Sequence, residues 1–305
     1  MQIQPTQAPV SCPGNRRRRR ELKRWAALTL LAIVLPAADT DAQRQAERIL
    51  ATLTAIADGE GSAGRREAIV TALRAAGVEF ELQEFVDRQK RPGTNIVAHL
   101  PGAGARLLVG AHYDRVAVGK GVVDNGGACA ALVDLLRILK ASPLERHTLD
   151  VVFFDLEEGG LSGSRAYFAS KAEPLPERAL NLDVFAYGDA LFVTASDPDG
   201  PMLRALREAG RASNLTVRDA PVDRYPGSDH RTMLEAKIDT LGIALVDAAD
   251  IDVVLASGTR GAGTPAAAAR VLTIIHSPRD VLSEAKPADI GRGVSALERL
   301  LRALD

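Results

Sequence analysis

Six acidic or imidazole side chains stand at the edges of apolar runs along this chain. They are His112, Asp124, Glu157, Glu158, Asp183 and His276. Imidazole nitrogens and carboxylate oxygens are ligands that zinc accepts in proteins. Two zinc ions would use five of these groups and leave one carboxylate free to move a proton. The set therefore predicts cleavage of an amide bond by metal-activated water.

The first of these side chains follows a pattern typical of a buried strand. Leu107 to His112 is apolar up to its last residue, and such a run between polar boundaries predicts a strand. Residues two apart on a strand point the same way, so Asp114 is expected to lie behind the His112 ring and orient it. Asp124 then precedes an apolar helical stretch, Ala128 to Leu139. Asp124 is therefore either a metal ligand or the N-cap of that helix, because Asp is a preferred capping residue.

A second apolar run ends in two adjacent glutamates. Leu149 to Phe154 predicts another buried strand, and Glu157 and Glu158 follow it. Neighbouring carboxylates repel each other unless a cation or a shared proton relieves them. One of the two can bind a metal while the other takes a proton from bound water, because adjacent side chains point in different directions. The alternative is a solvated acidic turn.

The last two candidates come from separate segments. Asp183 follows Asn181 and Leu182, and His276 follows a β-branched pair, Ile274 and Ile275. Taken alone, a histidine in that position is a structural residue more often than a ligand.

The order of these segments along the chain resembles a known family. The stretches GAHYD, VVDNGG, FFDLEEGGLSGSRAY, NLD, SDH and HSPRD occur in this order within a region of similarity from roughly Asn95 to Ala285. They are similar to the secreted zinc-dependent exopeptidases of the bacterial leucyl aminopeptidase and aminopeptidase Y type. That superfamily also contains glutamate carboxypeptidases and glutaminyl cyclases. The resemblance implies a single α/β domain with a mixed, twisted β-sheet sandwiched between helices.

The resemblance also implies a role for each candidate. Two zinc ions would be held by His112 and Asp183, by Glu158 and His276, and by Asp124 bridging between them. A water shared by the two metals would be the nucleophile. Glu157 would be the general base, and it would deliver the proton to the leaving amine. The peptide bond after the bridging Asp124 is cis in relatives, so a cis bond is expected here.

Residues around SDH are where relatives contact substrate. Tyr225 is expected to donate a hydrogen bond to the tetrahedral oxyanion, and His230 to lie near the site without binding metal. Arg115 and Arg231 depart from the usual pattern, and an arginine there would favour substrate carboxylates. His99 and His147 match no motif and are expected to be structural or surface residues.

The first 42 residues have the pattern of a secretory signal peptide. Arg16 to Arg20 is a run of five arginines, and an uncharged apolar core, Trp25 to Leu35, follows it. A basic region, a short apolar core and small residues are typical of such signals. Cleavage is expected before Gln43, which leaves residues 43–305 as the catalytic domain. The apolar core is shorter than the roughly 17–25 residues of a spanning helix.

These features predict an exported protein, periplasmic or extracellular, without stable membrane insertion after cleavage. The alternative is a protein anchored by the uncleaved signal. The arginine run also fits a nucleic-acid patch, but its place before an apolar core and the formal net charge of −1 argue against nucleic acid. Loss of Cys12 with the signal leaves only Cys129, so no internal disulfide is expected.

Helix and strand patterns alternate through the rest of the chain, which indicates a sheet layered between helices. Further helices are expected at residues 43–57, 65–76, 202–212 and 288–303, and further strands at residues 78–85, 95–100, 191–195 and 240–246. The stretch Asp250 to Arg270, rich in Gly, Ala and Thr, is expected to be a loop bordering the cleft.

The leading hypothesis is a two-zinc aminopeptidase acting on peptides with a free amino terminus. A glutaminyl-peptide cyclase or a carboxypeptidase-type member of the superfamily is the alternative. Related cyclases line their pocket with tryptophans, whereas the one tryptophan of this chain, Trp25, lies in the predicted signal. A non-catalytic binding module is the third hypothesis, and the six intact site positions count against it.

Overall fold

The computed structural model describes residue 1 and residues 37–170, 174–257 and 269–305. One compact unit runs from Asp41 to Asp305. Most of the predicted signal lies outside the described residues. Among the described residues, no helix combines the length and the apolar composition needed to cross a membrane.

Eight strands of the described chain form one sheet. Their bounds are β1 Phe80–Val86, β2 Pro92–Leu100, β3 Arg106–His112, β4 Thr148–Phe154, β5 Arg178–Phe185, β6 Ala190–Ala195, β7 Thr216–Asp219 and β8 Asp239–Val246. Their order across the sheet is β1-β2-β4-β3-β5-β8-β6-β7. The central strands β4, β3, β5 and β8 are parallel, while β1, β2 and β6 pair antiparallel with their inner neighbours. The sheet is therefore mixed, as expected from the sequence.

Helices cover both faces of this sheet. Their bounds are α1 Ala37–Asp58, α2 Gly61–Ala75, α3 Gly127–Ala141, α4 Ser162–Ser170, α5 Pro201–Ala212, α6 His230–Glu235, α7 Ala248–Ser257, α8 Arg270–Ile274 and α9 Pro287–Leu304. One face packs against α1, α2, α3, α5 and α9. The opposite face packs against α4 and α6. The predicted α/β sandwich is thereby confirmed.

Burial on both faces explains why the central strands are continuous apolar runs. In β4, Leu149, Val151 and Phe153 belong to the larger core, whereas Val152 and Phe154 belong to the core under α4 and α6. Successive strand residues point to opposite faces, so both sets must be apolar when helices cover both faces. The runs stop where the strands leave the core, and polar residues begin there.

Two differences between the structure and the sequence-based expectation concern the predicted cleavage position and the predicted loop from Asp250 to Arg270. The first helix begins at Ala37, so it continues through the predicted cleavage position before Gln43. The prediction of a loop from Asp250 to Arg270 is wrong for its first part, because Ala248–Ser257 is a helix. Ile251 is fully buried in an apolar cluster with Phe192, and this packing stabilises the helix. Residues 258–268 of that stretch lie outside the described residues.

Candidate metal centre

The candidate site lies at the carboxyl ends of the parallel strands. His112 is the last residue of β3, Glu157 and Glu158 follow β4, and Asp183 lies near the end of β5. Because these strands are parallel neighbours, their carboxyl ends meet at one edge of the sheet. Open α/β sheets bind ligands at this edge.

The Asp124 carboxylate lies between two imidazole rings. Its Oδ1 is 3.2 Å from His112 Nε2, and its Oδ2 is 3.0 Å from His276 Nε2. The N-cap of α3 is Gly126, which has no side-chain cap hydrogen bond. Asp124 therefore does not cap the helix, and that alternative is wrong. The peptide bond from Asp124 to Asn125 is cis, as the family resemblance implied.

Each imidazole also contacts a second carboxylate. His112 Nε2 is 3.5 Å from Asp183 Oδ1, and His276 Nε2 is 3.1 Å from Glu158 Oε2. The five residues predicted as ligands thus form two similar halves that share Asp124. We call His112 with Asp183 the inner half, and Glu158 with His276 the outer half.

Glu157 faces the inner half. Potential ligand atoms of Glu157, His112 and Asp183 lie within 4.8 Å of one another. Burial raises the pKa of Glu157 to about 9, although the nearby His112 charge opposes the rise. At this distance Glu157 is placed either to bind the inner metal or to take a proton from a water beside it.

Two buried carboxylate oxygens at the site lack a hydrogen-bond partner among the described residues, Glu158 Oε1 and Asp183 Oδ1. Buried polar groups are normally satisfied, so these oxygens are suited to bind a cation. Burial raises the pKa of Glu158 to about 7, and the Asp124 charge adds to the rise. Carboxylates crowded in this way are stabilised by cations, and the nitrogen and oxygen donors fit zinc.

Asp114 holds the backbone of the glutamate pair. Its Oδ1 accepts the N–H of Glu157 at 3.0 Å and its Oδ2 accepts the N–H of Glu158 at 3.2 Å. Its Oδ1 also lies 3.4 Å from His112 Nδ1, a charge contact that does not meet hydrogen-bond geometry. Asp114 thus lies behind the His112 ring, where it was expected, and it contacts both strand ends.

The backbone is strained at one predicted site residue and beside two others. Positive φ angles occur at Leu156 (57°), Val184 (58°) and His276 (54°). Leu156 precedes Glu157, and Val184 follows Asp183. A left-handed conformation costs about 1–3 kcal/mol for such residues and persists where surrounding structure enforces it, often at functional sites.

Tyr225 and His230 form a buried wall next to Asp183. The Tyr225 hydroxyl donates to the carbonyl oxygen of Phe192 at 3.3 Å. Its ring packs edge-on against His230, with centroids 5.4 Å apart. Stabilising an oxyanion would require this hydroxyl to leave the Phe192 carbonyl. Burial lowers the pKa of His230 to about 4, and His230 belongs to neither ligand group of the described chain.

An apolar cavity of about 80 Å³ opens beside Asp183. Phe192, Tyr225, Ile251 and Ile275 contribute to its lining. The cavity therefore borders a candidate metal ligand.

The remaining predicted positions lie outside the ligand cluster. Arg115 donates to the carbonyl of Val116 at 2.9 Å, and Arg231 packs against Gly227. The two unassigned histidines pair with carboxylates elsewhere, His99 with Asp150 at 2.8 Å and His147 with Asp305 at 3.3 Å.

Two buried charged residues next to the site, Arg65 and Asp280, were not predicted from the sequence to have a role there. Both contact the loop that leads to Asp124. A single arginine within a helix reads as a solvated side chain, so Arg65 had no sequence signal. The position of Asp280 in the HSPRD stretch was the only signal for that residue.

Curated relatives match parts of this chain. Endoplasmic reticulum metallopeptidase 1 of Mus musculus is 30% identical over 115 residues, which are 36% of this chain and 13% of the mouse protein. Leupeptin-inactivating enzyme 1 of Streptomyces exfoliatus is 33% identical over 135 residues, which are 41% of this chain and 30% of that enzyme. The chain therefore matches less than a third of the length of these relatives.

Solved structures share the fold over most of the chain. A Porphyromonas gingivalis glutaminyl cyclase has a TM-score of 0.67 at 18% identity, covering 85% of this chain and 98% of that one. A Zn-dependent exopeptidase from Parabacteroides distasonis has a TM-score of 0.65 at 15% identity, covering 84% and 97%. The LapA aminopeptidase of Legionella pneumophila has a TM-score of 0.65 at 15% identity, covering 87% and 73%.

The family assignment rests on a match that covers more than half of the sequence. Residues 95–299 match peptidase family M28. The matched region includes all six residues of the candidate centre and every strand from β3 to β8. The chain belongs to peptidase family M28.

Proposed function

We propose that this chain is a two-zinc aminopeptidase that hydrolyses the amino-terminal bond of peptides. The observation that carries the proposal is the Asp124 carboxylate, which presents one oxygen to His112 and the other to His276. Each ring has a second carboxylate, so the two halves offer similar ligands on either side of one bridge. A single-metal enzyme or a binding module has no need for this duplication.

Zinc ions held in the two halves would lower the pKa of a bound water and stabilise negative charge on the substrate oxygen. Glu157 would take the proton of that water and pass it to the leaving amine. Its pKa is raised to about 9 chiefly by burial, so the carboxyl holds a proton readily. Nearby cations would lower this pKa, which leaves Glu157 able both to accept and to donate near neutral pH.

Two features favour a free amino terminus and an apolar first residue. The four carboxylates of the centre offset the charge of two zinc ions, so the loaded centre does not repel an ammonium group. The apolar cavity beside Asp183 has a volume of about 80 Å³ and a wall formed by Phe192 and Ile251. Such a pocket accepts an aliphatic side chain and disfavours a charged one, because burying an unpaired charge is costly. The aminopeptidase structure with the shared fold supports this direction.

The role of Glu157 gives the first test. Glu157→Gln is expected to retain two zinc ions per chain and to lose roughly 10²–10⁴-fold in kcat, because the change removes the base without removing a ligand. Zinc per chain by mass spectrometry and release of aniline from leucine anilide measure the two effects. Glu235→Gln is the matched control, since Glu235 is exposed and pairs with Arg165 away from the centre.

Loss of the inner zinc in Glu157→Gln would contradict this assignment. Glu157 would then be a ligand, as its approach to His112 and Asp183 also allows.

A glutaminyl-peptide cyclase is the second candidate. It is favoured by the fold shared with the Porphyromonas gingivalis enzyme. The absence of tryptophan after Trp25 counts against the aromatic pocket expected of such enzymes. Three substrates separate the hypotheses. Aminoacyl anilides test for an aminopeptidase, a peptide with a free carboxyl terminus and a blocked amino terminus tests for a carboxypeptidase, and a peptide with an amino-terminal glutamine tests for a cyclase. Ammonia release from the glutaminyl peptide without hydrolysis of the anilides would overturn the proposal.

We also propose that residues 1–42 direct export and are removed. The basic run and apolar core of the sequence support this, and peptide substrates outside the cytoplasm would then be the partners. Mass spectrometry of the protein from its native host is expected to show a chain beginning near Gln43 outside the cytoplasm. An intact first segment in a membrane fraction would favour the anchored alternative.

A further inference from the structure

A loop connects His112 to Asp124, and its two ends are buried although Val118 in its middle is exposed. It runs from Tyr113 to Val123 and includes no regular strand. Backbone N–H and C=O groups buried in such a loop need partners from elsewhere in the structure. Two charged side chains from distant segments supply them.

Arg65 satisfies the carbonyl groups of this loop. Its side chain projects from α2 and is completely buried. The guanidinium donates to the carbonyls of Tyr113, of Lys120 at 2.9 Å and of Gly121 at 3.0 Å. A planar fork with several fixed donors can bind three carbonyls at once, which a lysine ammonium on a flexible stem cannot reproduce in the same geometry.

Asp280 satisfies the amide groups that follow. Its side chain is also buried, and its Oδ1 accepts the N–H groups of Val122 at 2.8 Å and Val123 at 2.6 Å. Its Oδ2 accepts the N–H of Asp124 at 3.2 Å. Its own carbonyl oxygen accepts the N–H of Lys120 at 2.7 Å. Asp280 is four residues beyond His276, so the same short segment carries a candidate ligand and this anchor.

The side chain that binds the loop backbone changes from Arg65 to Asp280 within one turn of the loop. Carbonyls up to Gly121 face the cation, and amides from Val122 onwards face the anion. Gly121 makes the turn with a φ of 59°, and a side chain there would approach Arg115 to 2.7 Å. The buried charges are thus each compensated by backbone dipoles of the opposite sign.

We propose that Arg65 and Asp280 are a pair of positioning residues that place Asp124 between His112 and His276. The inference rests on the proposed two-zinc function. Arg65 precedes the region that matches the family, residues 95–299, so the pair ties the amino-terminal helix layer to the metal centre. Neither residue touches the candidate ligand atoms, and both act through the loop backbone.

The test compares zinc affinity with fold stability in Asp280→Asn and Arg65→Lys. Asp280→Asn places an amide NH₂ against the backbone N–H groups of the loop. Arg65→Lys keeps the positive charge but loses the planar guanidinium. Each variant is expected to fold, by circular dichroism, and to bind both zinc ions about 10–100-fold more weakly in a chelator competition. Because both residues hold one loop, the double variant is expected to lose less than the product of the single effects.

Asp134→Asn is the matched control. Asp134 is buried on α3 and pairs with Arg48 at 3.1 Å, without contact to the loop. It is expected to lower the unfolding temperature and to leave zinc affinity unchanged. Hydrogen exchange gives a second readout, since the amides of Val122 to Asp124 are expected to lose protection in Asp280→Asn while those of β3 and β4 keep it.

Zinc affinity within about twofold of wild type in both variants, with only the unfolding temperature lowered, would overturn the inference. If Asp280→Asn does not fold, Arg65→Lys alone decides between these outcomes. If the wild-type protein binds two zinc ions and both variants bind them equally well, the positioning role is rejected and the proposed function stands. A wild-type protein that binds no zinc would reject both.

Discussion

The inner and outer halves of the centre have similar ligands in different settings. The His112 side chain is 1% exposed at the end of a central strand, whereas the His276 side chain is 53% exposed. His276 follows a helix of only five residues, and it precedes no strand. Asp124 thus lies between a histidine at the end of a central strand and a histidine on a surface segment.

Contacts with carboxylates raise the pKa values of both imidazole rings, His112 and His276. Burial alone would lower the pKa of His112, yet contacts with Asp114, Asp124 and Asp183 raise it well above its ordinary value. The contact with Asp124 raises the pKa of His276 to about 9. A metal must displace these protons to bind. Because the His112 ring is buried and the His276 ring is half exposed, we expect zinc to bind more tightly and to exchange more slowly in the inner half than in the outer half.

The largest expected effect comes from removing the shared residue. Asp124→Asn is expected to weaken both zinc ions together and to reduce kcat/KM by more than the roughly 10²–10⁴-fold cost of losing a general base. Zinc titration by calorimetry and the anilide assay measure this. A variant that loses one ion and keeps the other at wild-type affinity would show that Asp124 belongs to one half only.

A smaller and unequal effect is expected from truncating each histidine. His112→Ala is expected to lower the unfolding temperature and zinc affinity together, because it leaves a cavity and unpaired carboxylates at a buried strand end. His276→Ala is expected to retain the fold and one tightly bound zinc, because the ring is half exposed. Thermal unfolding with zinc per chain measures both. Equal behaviour of the two variants would remove the distinction between the halves.

The smallest effect is expected from Asp114→Asn. This change weakens the acceptor for the N–H groups of Glu157 and Glu158 and the contact to His112. Such supporting residues cost about 10–100-fold in metal affinity or activity. The inner zinc is expected to weaken more than the outer one in a chelator competition. A selective loss of the outer zinc would contradict the orienting role at His112.

The sequence predicted the strand-end positions of His112 and the glutamate pair more completely than the positions of Asp183 and His276. Apolar runs that stop at His112 and before Glu157 mark strand ends, and neighbouring parallel strands bring such ends together. His276 had no comparable signal, because the short helix before it reads as a β-branched run. The assignments of His276 and Asp183 both depended on the family resemblance.

Contacts between distant segments could not be predicted from the sequence. Arg65 lies 48 residues before Tyr113, to whose carbonyl it donates, and no local pattern joins the two. The helix at Ala248–Ser257 was missed because its Gly- and Thr-rich continuation resembles a loop, whereas burial of Ile251 is a tertiary effect. The identities of base and ligand within the glutamate pair also depend on side-chain direction, which residue types alone do not give.

The account rests on two metals sharing Asp124, and anomalous diffraction at the zinc edge tests this most directly. Crystals of the wild-type protein grown with zinc are expected to show two peaks about 3.5–4 Å apart. One peak is expected beside His112 and Asp183, the other beside Glu158 and His276, with the Asp124 carboxylate between them. A single peak, or two peaks with Glu157 as a ligand and Asp124 bound to one metal only, would contradict the account.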